Sequence, residues 1–140
     1  MQDVEQRGLG LLLFPEWYSL DAMQRMRFFD DNTRSWWTPA TGGSNVPALN
    51  ELLAPHGLAF GATALHGSVA VGGHKMAYAS GTSIVTAPRG AKLLSAVLQD
   101  KARAHTSTPP AERNAAHAVL ALLHAGEGRI AAFGDASCVD

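Results

Sequence analysis

The hydrophobic pattern at the start of the chain predicts a strand followed by a helix. Residues 8–14 (GLGLLLF) form an unbroken apolar run, which is typical of a strand buried on both faces of a parallel sheet. Met23, Met26 and Phe29 then recur at a spacing of three, which predicts a helix with Asp21 as its N-cap. This order of elements is the first indication of an α/β fold.

A long loop and a second helix are predicted next. Residues 30–45 have no period and are rich in Asp, Asn, Thr, Gly and Pro, which predicts an ordered loop. Asn45 can cap the helix that follows, Pro47 suits its first turn, and Gly57 suits its C-terminal stop. Three leucines are spaced to form the buried face: Leu49, Leu52 and Leu53.

The second half of the chain has a mixed pattern. Alternating segments rich in Gly, Ser and Thr predict three short strands joined at glycine pairs: 58–63, 68–73 and 75–80. By residue propensity, 91–105 and 111–125 favour helix, and the intervening TSTPP at 106–110 predicts a break. A final strand is expected at 129–133, ending at the polar pair Gly134-Asp135. The sequence thus predicts an α/β fold with a mostly parallel sheet.

Composition and charge narrow the functional classes. The 140 residues are 46% hydrophobic and 16% charged, as in a folded domain, and they predict one domain spanning 1–140. A net charge of −1 gives no basic surplus for nucleic-acid binding. The longest apolar run is too short to span a membrane, and residues 2–7 do not resemble a signal peptide. Cys138 is the single cysteine, so no disulfide is expected within the chain.

One stretch resembles the nucleophile segment of subtilisin-like proteases. These enzymes carry G-T-S-x-A-x-P around the serine, and this chain has Gly81-Thr82-Ser83. However, Pro88 follows Ser83 by five positions instead of four, and no aspartate occurs in the D-[ST]-G context that would orient a histidine. His66 stands in a similarly incomplete histidine motif. Because triad chemistry needs nucleophile, base and acid together, we predict that neither Ser83 nor His66 is catalytic.

Other chemistry-bearing residues give weaker signals. His66 and His74 lack a carboxylate or cysteine at ligand spacing, so neither a metal site nor a cofactor is predicted. Asp30-Asp31-Asn32 lacks the glycine of a calcium loop and is expected to turn the chain. The segment TGGSN, with Gly42, Gly43 and Asn45, either binds an anion at the next helix or is a plain loop: 41–45.

Two adjacent tryptophans are the most unusual feature of the predicted loop. Trp36 and Trp37 are either an anchor for a binding partner or packing residues of their own domain. We predict that at least one of them is substantially buried, because an exposed pair promotes aggregation. Together with the nearby glycines and Asn45 they define a candidate interaction loop.

Long, idiosyncratic segments resemble one family. Residues 8–53, including FFDDNTRSWWTPATGGSNVPALNELL, together with 74–84 and 128–138, closely resemble the site-1-protease family of subtilisin/kexin-type subtilases. Enzymes of this family cleave sterol-regulatory precursors in the Golgi. The resembled part is luminal, non-catalytic and downstream of the catalytic domain. It implies a class I glutamine-amidotransferase-like, flavodoxin-like fold, truncated here at both ends.

The resemblance implies several further properties. No catalytic-triad residue of the family can be carried over to this chain. The domain would contact the catalytic domain of its own polypeptide or a luminal regulatory protein. Its location would be the Golgi or ER lumen, as part of a membrane-anchored protein. Residues 90–101 and 115–124 align loosely with strands, against the helical propensity. Since the lumen is oxidising and the family continues into a helix containing cysteine, Cys138 is the disulfide candidate, with a partner beyond Asp140.

Three functions are therefore weighed. The first is a non-catalytic accessory domain of a site-1-protease-like serine endopeptidase that provides stability or partner docking. The second is a small amidotransferase-like hydrolase with Cys138 as its nucleophile, although ASCVD lacks the flanking glycines of a nucleophile elbow. The third is a stand-alone α/β domain that binds a ligand at the loop 38–47.

Overall fold

The computed structural model of the protein describes residues 1–100 and 114–138. Three α-helices are present in these ranges, α1 (Gln2–Arg7), α2 (Leu20–Arg25) and α3 (Val46–Leu53). Two short 3-10 turns accompany them, Ala54–His56 and Ala136–Cys138. Each of the described helices is too short to cross a membrane.

A curled six-stranded sheet forms the body of the described part. The strands in chain order are β1 (Gly10–Leu13), β2 (Phe28–Asp30), β3 (Ser35–Trp37), β4 (Ala59–Phe60), β5 (Leu65–Val71), β6 (His74–Tyr78), β7 (Ile84–Thr86), β8 (Lys92–Asp100), β9 (Asn114–Ala125) and β10 (Gly128–Phe133). The main sheet has the order β1-β10-β9-β8-β5-β6. The strands β2 and β3, and likewise β4 and β7, form two separate two-stranded ribbons.

The expectation of a mostly parallel sheet is wrong, although the fold is α/β. Among the described strands of the main sheet, β1 and β10 are the one parallel pair, and the other neighbours are antiparallel. The reason is local, because tight turns with left-handed glycines join consecutive strands. Gly72 (φ 58°) and Gly73 (φ 84°) connect β5 to β6, and Gly126 (φ 59°) lies between β9 and β10. Such short connections permit only antiparallel pairing.

The apolar run 8–14 becomes an edge strand instead of a strand buried on both faces. β1 pairs on one side only, with β10. Leu13 is buried, whereas Leu12 on the opposite face is exposed. An unbroken apolar run therefore indicates here that one face packs on the core and the other is open.

The helical propensity of 91–105 and 111–125 is overruled in the structure. The described parts of these segments are the strands β8 and β9, which pair with each other over most of their length. In β9 burial alternates from Val119 to Ala125, as expected of a strand with one packed face. Tertiary pairing thus outweighs the intrinsic preference of Ala and Leu, in agreement with the resemblance-based expectation. The predicted break at 106–110 lies outside the described residues.

The first predicted helix is shorter than its apolar spacing implied. Ser19, not Asp21, is the N-cap of α2, because its hydroxyl accepts a hydrogen bond from the main chain of Ala22 at 3.3 Å. Met23 is buried, but Met26 follows the helix and is exposed. The spacing-three pattern therefore crossed a helix boundary and continued into β2.

The second predicted helix is confirmed as α3, although Asn45 does not cap it through its side chain and a 3-10 turn separates its end from Gly57. Pro47 lies in the first turn of α3, and Gly57 stops the following 3-10 turn with φ 66°. Asn45 occupies the N-cap position, but its side chain makes no capping hydrogen bond. Leu53 is fully buried, whereas Leu52 is exposed.

Two apolar clusters lie on opposite faces of the curled sheet. The first joins α1 and α3 to one face of β9 and β10 and includes Val4, Leu53 and Ile130. The second lies within the curl of β5, β6, β8 and β10 and includes Tyr78 and Phe133, whose rings meet edge to face. The described helices therefore cover one face of the sheet, and in this part of the chain some of the other face is exposed.

Candidate functional site

A two-stranded ribbon carries the candidate interaction residues. β2 and β3 pair so that Phe28 faces Trp37 and Phe29 faces Trp36. Consecutive residues of a strand point to opposite faces, so each face of the ribbon bears one aromatic pair. We call this ribbon with its four aromatic side chains the aromatic hairpin. The long loop predicted for 30–45 is therefore a strand and a loop.

The turn of the aromatic hairpin is ordered by short polar side chains. Asp30 accepts hydrogen bonds from the main chain of Asn32 at 3.1 Å and from the hydroxyl of Thr33 at 2.7 Å. The Thr33 hydroxyl also accepts the indole N–H of Trp37 at 3.0 Å. The bond from Thr33, followed by that from Asn32, lowers the pKa of Asp30. The prediction that Asp30-Asp31-Asn32 caps or turns the chain is confirmed, because a turn follows β2 at this point.

Both tryptophans are exposed, so the prediction that at least one is substantially buried is wrong. The exposed fractions are 61% for Trp36 and 52% for Trp37. Phe28 and Phe29 are exposed as well. The physical reason is that β2 and β3 pair with each other and with no other described strand, and a ribbon of two short strands cannot bury both of its own faces.

The exposed aromatic rings are nevertheless held in fixed positions. The rings of Phe29 and Trp36 lie edge to face, with centroids 5.6 Å apart. The guanidinium of Arg27 lies 4.9 Å from the centroid of Trp36, within the range of a cation–π interaction. A pre-organised aromatic surface loses little entropy when a partner binds. Sequence reasoning singled out the tryptophans but missed Arg27 and the two phenylalanines. The FF pair at 28–29 and the WW pair at 36–37, on either side of a polar turn, are the sequence signal that would have indicated a hairpin.

The glycine-rich loop after the aromatic hairpin is fixed against the domain. Gly42 has φ 56°, and a Cβ there would approach Cε of Met23 to 2.7 Å. Gly43 has φ 91° and open space around its α-carbon. The side chain of Asn45 accepts the main-chain N–H of Glu16 at 2.9 Å. The Oδ1 atom of Asn45 therefore ties two loops together.

Ser83 and His66 lie in different local environments. Ser83 is buried, and its main-chain carbonyl accepts the N–H of Gly61 at 2.7 Å. His66 lies on β5 opposite Gln99 of β8. The buried Nδ1 atom of His66 has no hydrogen-bond partner in the described part of the chain. A catalytic base requires a partner that orients the imidazole.

A buried polar corner, which sequence reasoning missed, lies where β6 and β10 end. The phenol of Tyr78 donates to the carbonyl of Thr82 at 2.5 Å, and the Thr82 hydroxyl donates to the carbonyl of Gly61 at 2.7 Å. Burial, followed by the nearby Asp135 and Cys138, raises the pKa of Tyr78. The phenol therefore stays neutral and acts as a structural donor. The one local sequence signal of this corner was the polar pair Gly134-Asp135 at the end of the last strand.

A cleft of about 180 Å³ adjoins this corner at the carboxyl ends of β1 and β10. Ligands of open α/β sheets commonly bind at this edge. Its lining is mainly polar: Glu16, Trp17, Ser80, Asp135, Ala136 and Ser137. Asp135 already accepts hydrogen bonds from Ala79 and Ser137, so its carboxylate is committed to the fold.

Cys138 is exposed in the 3-10 turn after β10. Its thiol donates to the carbonyl of Asp135 at 3.2 Å. Within residues 1–100 and 114–138, no group of three or more His, Cys, Asp or Glu side chains is placed to hold a metal ion. The chemically distinctive features of the described part are thus the aromatic hairpin and the polar corner.

Comparison of the sequence with known proteins relates this chain to proteases. Residues 1–140 match the family model described as MBTPS1, fourth GATase-like domain. The chain is 50% identical to subtilisin-like protease SBT6.1 of Arabidopsis thaliana and 36% identical to membrane-bound transcription factor site-1 protease of Homo sapiens and of Cricetulus griseus. Each alignment covers 99% of this chain but only 14% of the plant relative and 13% of the mammalian ones.

The name of the family model agrees with an α/β fold that resembles glutamine amidotransferases, although the sheet described above is mixed. The match extends over the whole chain, including 86–124, where the resemblance noted from the sequence fades. The chain belongs to the site-1 protease family of subtilases, as a member of its fourth GATase-like domain family.

Proposed function

We propose that this chain is a non-catalytic docking domain of a larger site-1-protease-like serine endopeptidase. The observation that carries the proposal is the aromatic hairpin, whose four aromatic side chains are exposed yet mutually packed. An exposed aromatic cluster of this kind marks an interaction site, because Trp and Tyr anchors supply most of the energy of protein interfaces.

The relatives support a partner within the same polypeptide. The chain spans 13–14% of the length of its curated relatives, which are proteases. A tethered neighbour is present at an effective concentration that a free partner rarely reaches. The aromatic hairpin therefore contacts the catalytic domain, and its role is to position and stabilise that domain. A luminal regulatory protein is the alternative occupant.

The domain supplies no catalytic group in this proposal. Ser83 is buried directly before β7, and the imidazole of His66 lacks a partner at Nδ1 in the described part. The mammalian relatives carry the name membrane-bound transcription factor site-1 protease. We further propose that the chain works in the Golgi or ER lumen as part of a membrane-anchored protein, as the family resemblance implies.

Hydroxyl-radical footprinting of the full-length polypeptide tests this proposal. Modification of Trp36 and Trp37 is compared between the full-length protein and the isolated chain, with exposed Leu52 on α3 as the internal reference. We expect the tryptophans to be protected several-fold in the full-length protein while Leu52 is not. Equal modification of the tryptophans in both samples would refute docking through the aromatic hairpin.

Activity provides the second readout. Replacing Trp36 and Trp37 by serine in the full-length protease should lower its thermal stability or its yield of active enzyme. The turnover number per active site, titrated with a covalent inhibitor, should stay unchanged because the hairpin adds no group to the reaction. A matched Leu52→Ser variant should change neither quantity.

A further inference from the structure

A groove of about 480 Å³ lies on the open face of the main sheet, opposite the face that α1 and α3 cover. Its floor is one cross-strand row formed by Leu12, Ala131, Leu122 and Lys92, one residue from each of β1, β10, β9 and β8. Leu12 is 68% exposed and Leu122 is 43% exposed. We call this surface the sheet groove.

The rim of the sheet groove is basic. Arg129 and His124 face each other in the neighbouring row, and Lys92 ends the floor row on β8. All three side chains are exposed, and none of the residues that line the groove is acidic. The surface thus combines an apolar floor with unmatched positive charge, although the whole chain carries a net charge of −1.

The dimensions fit one helix. Neighbouring strands are spaced by about 4.8 Å, so the four strands of the floor row span roughly 14 Å. An α-helix with its side chains is about 10–12 Å wide. Helices that cover the apolar face of a sheet are the standard second layer of α/β folds, and in residues 1–100 and 114–138 such a layer is present on one face.

We propose that the sheet groove binds an amphipathic helix with acidic residues beside its apolar stripe, supplied by another segment of the same polypeptide. Leu12 and Leu122 contact the apolar stripe, and Lys92 and Arg129 pair with the carboxylates. The choice of a tethered helix rests on the proposed function, because a chain spanning 13–14% of its relatives leaves most of such a polypeptide outside this domain. Tethering raises the effective concentration of that helix at the groove.

Site-specific photo-crosslinking in the full-length polypeptide tests the inference. Leu122 is replaced by p-benzoylphenylalanine, and exposed Val85 on β7 serves as a matched control position. We expect the Leu122 probe to form an intramolecular crosslink to a single segment that has helical apolar periodicity and flanking Asp or Glu. The Val85 probe should not reach that segment.

Charge variants test the chemistry of the groove. Lys92→Glu with Arg129→Glu should lower the crosslink yield about fivefold, which is the scale expected for two exposed ion pairs. Lys92→Gln with Arg129→Gln should have a smaller effect in the same direction. Both positions are exposed, and unchanged circular dichroism of each variant confirms that the fold is intact.

Three results would overturn the inference: no crosslink from Leu122, a crosslink only to a second molecule, or a yield that charge reversal leaves unchanged. These outcomes are separable from failure of the proposed function. Protection of Trp36 and Trp37 without a crosslink at Leu122 removes only the helix in the sheet groove. A crosslink at Leu122 with unprotected tryptophans removes only docking through the aromatic hairpin.

Discussion

The carboxylate of Asp135 accepts a 2.7 Å hydrogen bond from the main-chain N–H of Ala79, 56 positions earlier in the chain. This bond joins the residue after β6 to the end of β10, across the width of the curled sheet. Asp135 is buried and also accepts the N–H of Ser137 at 3.1 Å together with its hydroxyl. Its negative charge is therefore compensated by several donors.

Removing this carboxylate should destabilise the domain. Asp135→Ala leaves the N–H of Ala79 without its acceptor, and we expect the free energy of unfolding to fall by about 1–3 kcal/mol. Asp135→Asn keeps one acceptor oxygen and should cost less. Urea unfolding measures both, with Glu51→Ala on the exposed side of α3 as a control that should stay within about 0.5 kcal/mol. An unchanged midpoint for Asp135→Ala would show that the contact contributes nothing.

Some elements were predictable because their determinants are local. The glycine pair 72–73 fixes the turn between β5 and β6, and Pro47 marks the first turn of α3. In contrast, β8 and β9 are strands because they pair with each other, a partnership that their Ala- and Leu-rich sequences do not encode locally. The parallel partner of β1 was equally hidden, since β10 lies more than a hundred residues away in the chain.

The candidate site divides in the same way. The turn at Asp30 follows from its short polar side chain, but the exposure of Trp36 depends on which elements surround the ribbon. Burial of a tryptophan is a property of its neighbours in space, and a sequence without those neighbours favours burial by default. The polar corner around Tyr78 was missed because Thr82, which accepts the Tyr78 phenol, is joined to Gly61 more than twenty residues earlier in the chain.

The exposed tryptophans predict a specific fluorescence response. Acrylamide should quench most of the emission of the isolated folded chain, since Trp36 and Trp37 are more than half exposed whereas Trp17 is partly buried. Trp36→Phe and Trp37→Phe should each remove a readily quenched component, and Trp17→Phe should remove a less accessible one. Protection of both indoles in the isolated chain would contradict the exposed aromatic hairpin.

Stability should fall in mildly acidic solution because of His117 on β9. Burial lowers the pKa of His117, and the carboxylate of Asp100 partly opposes this shift. The unfolded chain therefore binds the proton of His117 more tightly than the folded chain does. The stability that the neutral imidazole contributes is complete above the unfolded-state pKa of about 6.5 and is lost as the pH falls below that pKa. The free energy of unfolding should differ less between pH 7.5 and pH 5.5 in His117→Gln than in the wild-type chain. The exposed His74→Gln variant should keep the wild-type difference.

Ser83 should not react as a serine-protease nucleophile. Ser83 is buried directly before β7, which limits access to its hydroxyl, and the displaced Pro88 departs from the protease motif. A fluorophosphonate probe is therefore expected to leave the isolated chain unlabelled while it labels an authentic serine hydrolase in parallel. Stoichiometric labelling that disappears in Ser83→Ala would overturn this assignment and restore a catalytic role for the chain.

The last prediction concerns Cys138, which we expect to form a disulfide with a cysteine beyond Asp140 in the full-length protein. Cys138 is exposed on the turn after β10, where a second chain segment can reach its thiol, and the proposed lumen is oxidising. A disulfide that closes the loop between Cys138 and its partner cysteine should contribute about 2–4 kcal/mol to stability, mainly by restricting the unfolded chain. Cys138→Ser should therefore lower the unfolding midpoint of the full-length protein under non-reducing conditions but not after reduction. Non-reducing peptide mapping of the secreted protein identifies the partner. Recovery of Cys138 as an alkylated thiol would exclude the bond and favour the cysteine-hydrolase alternative.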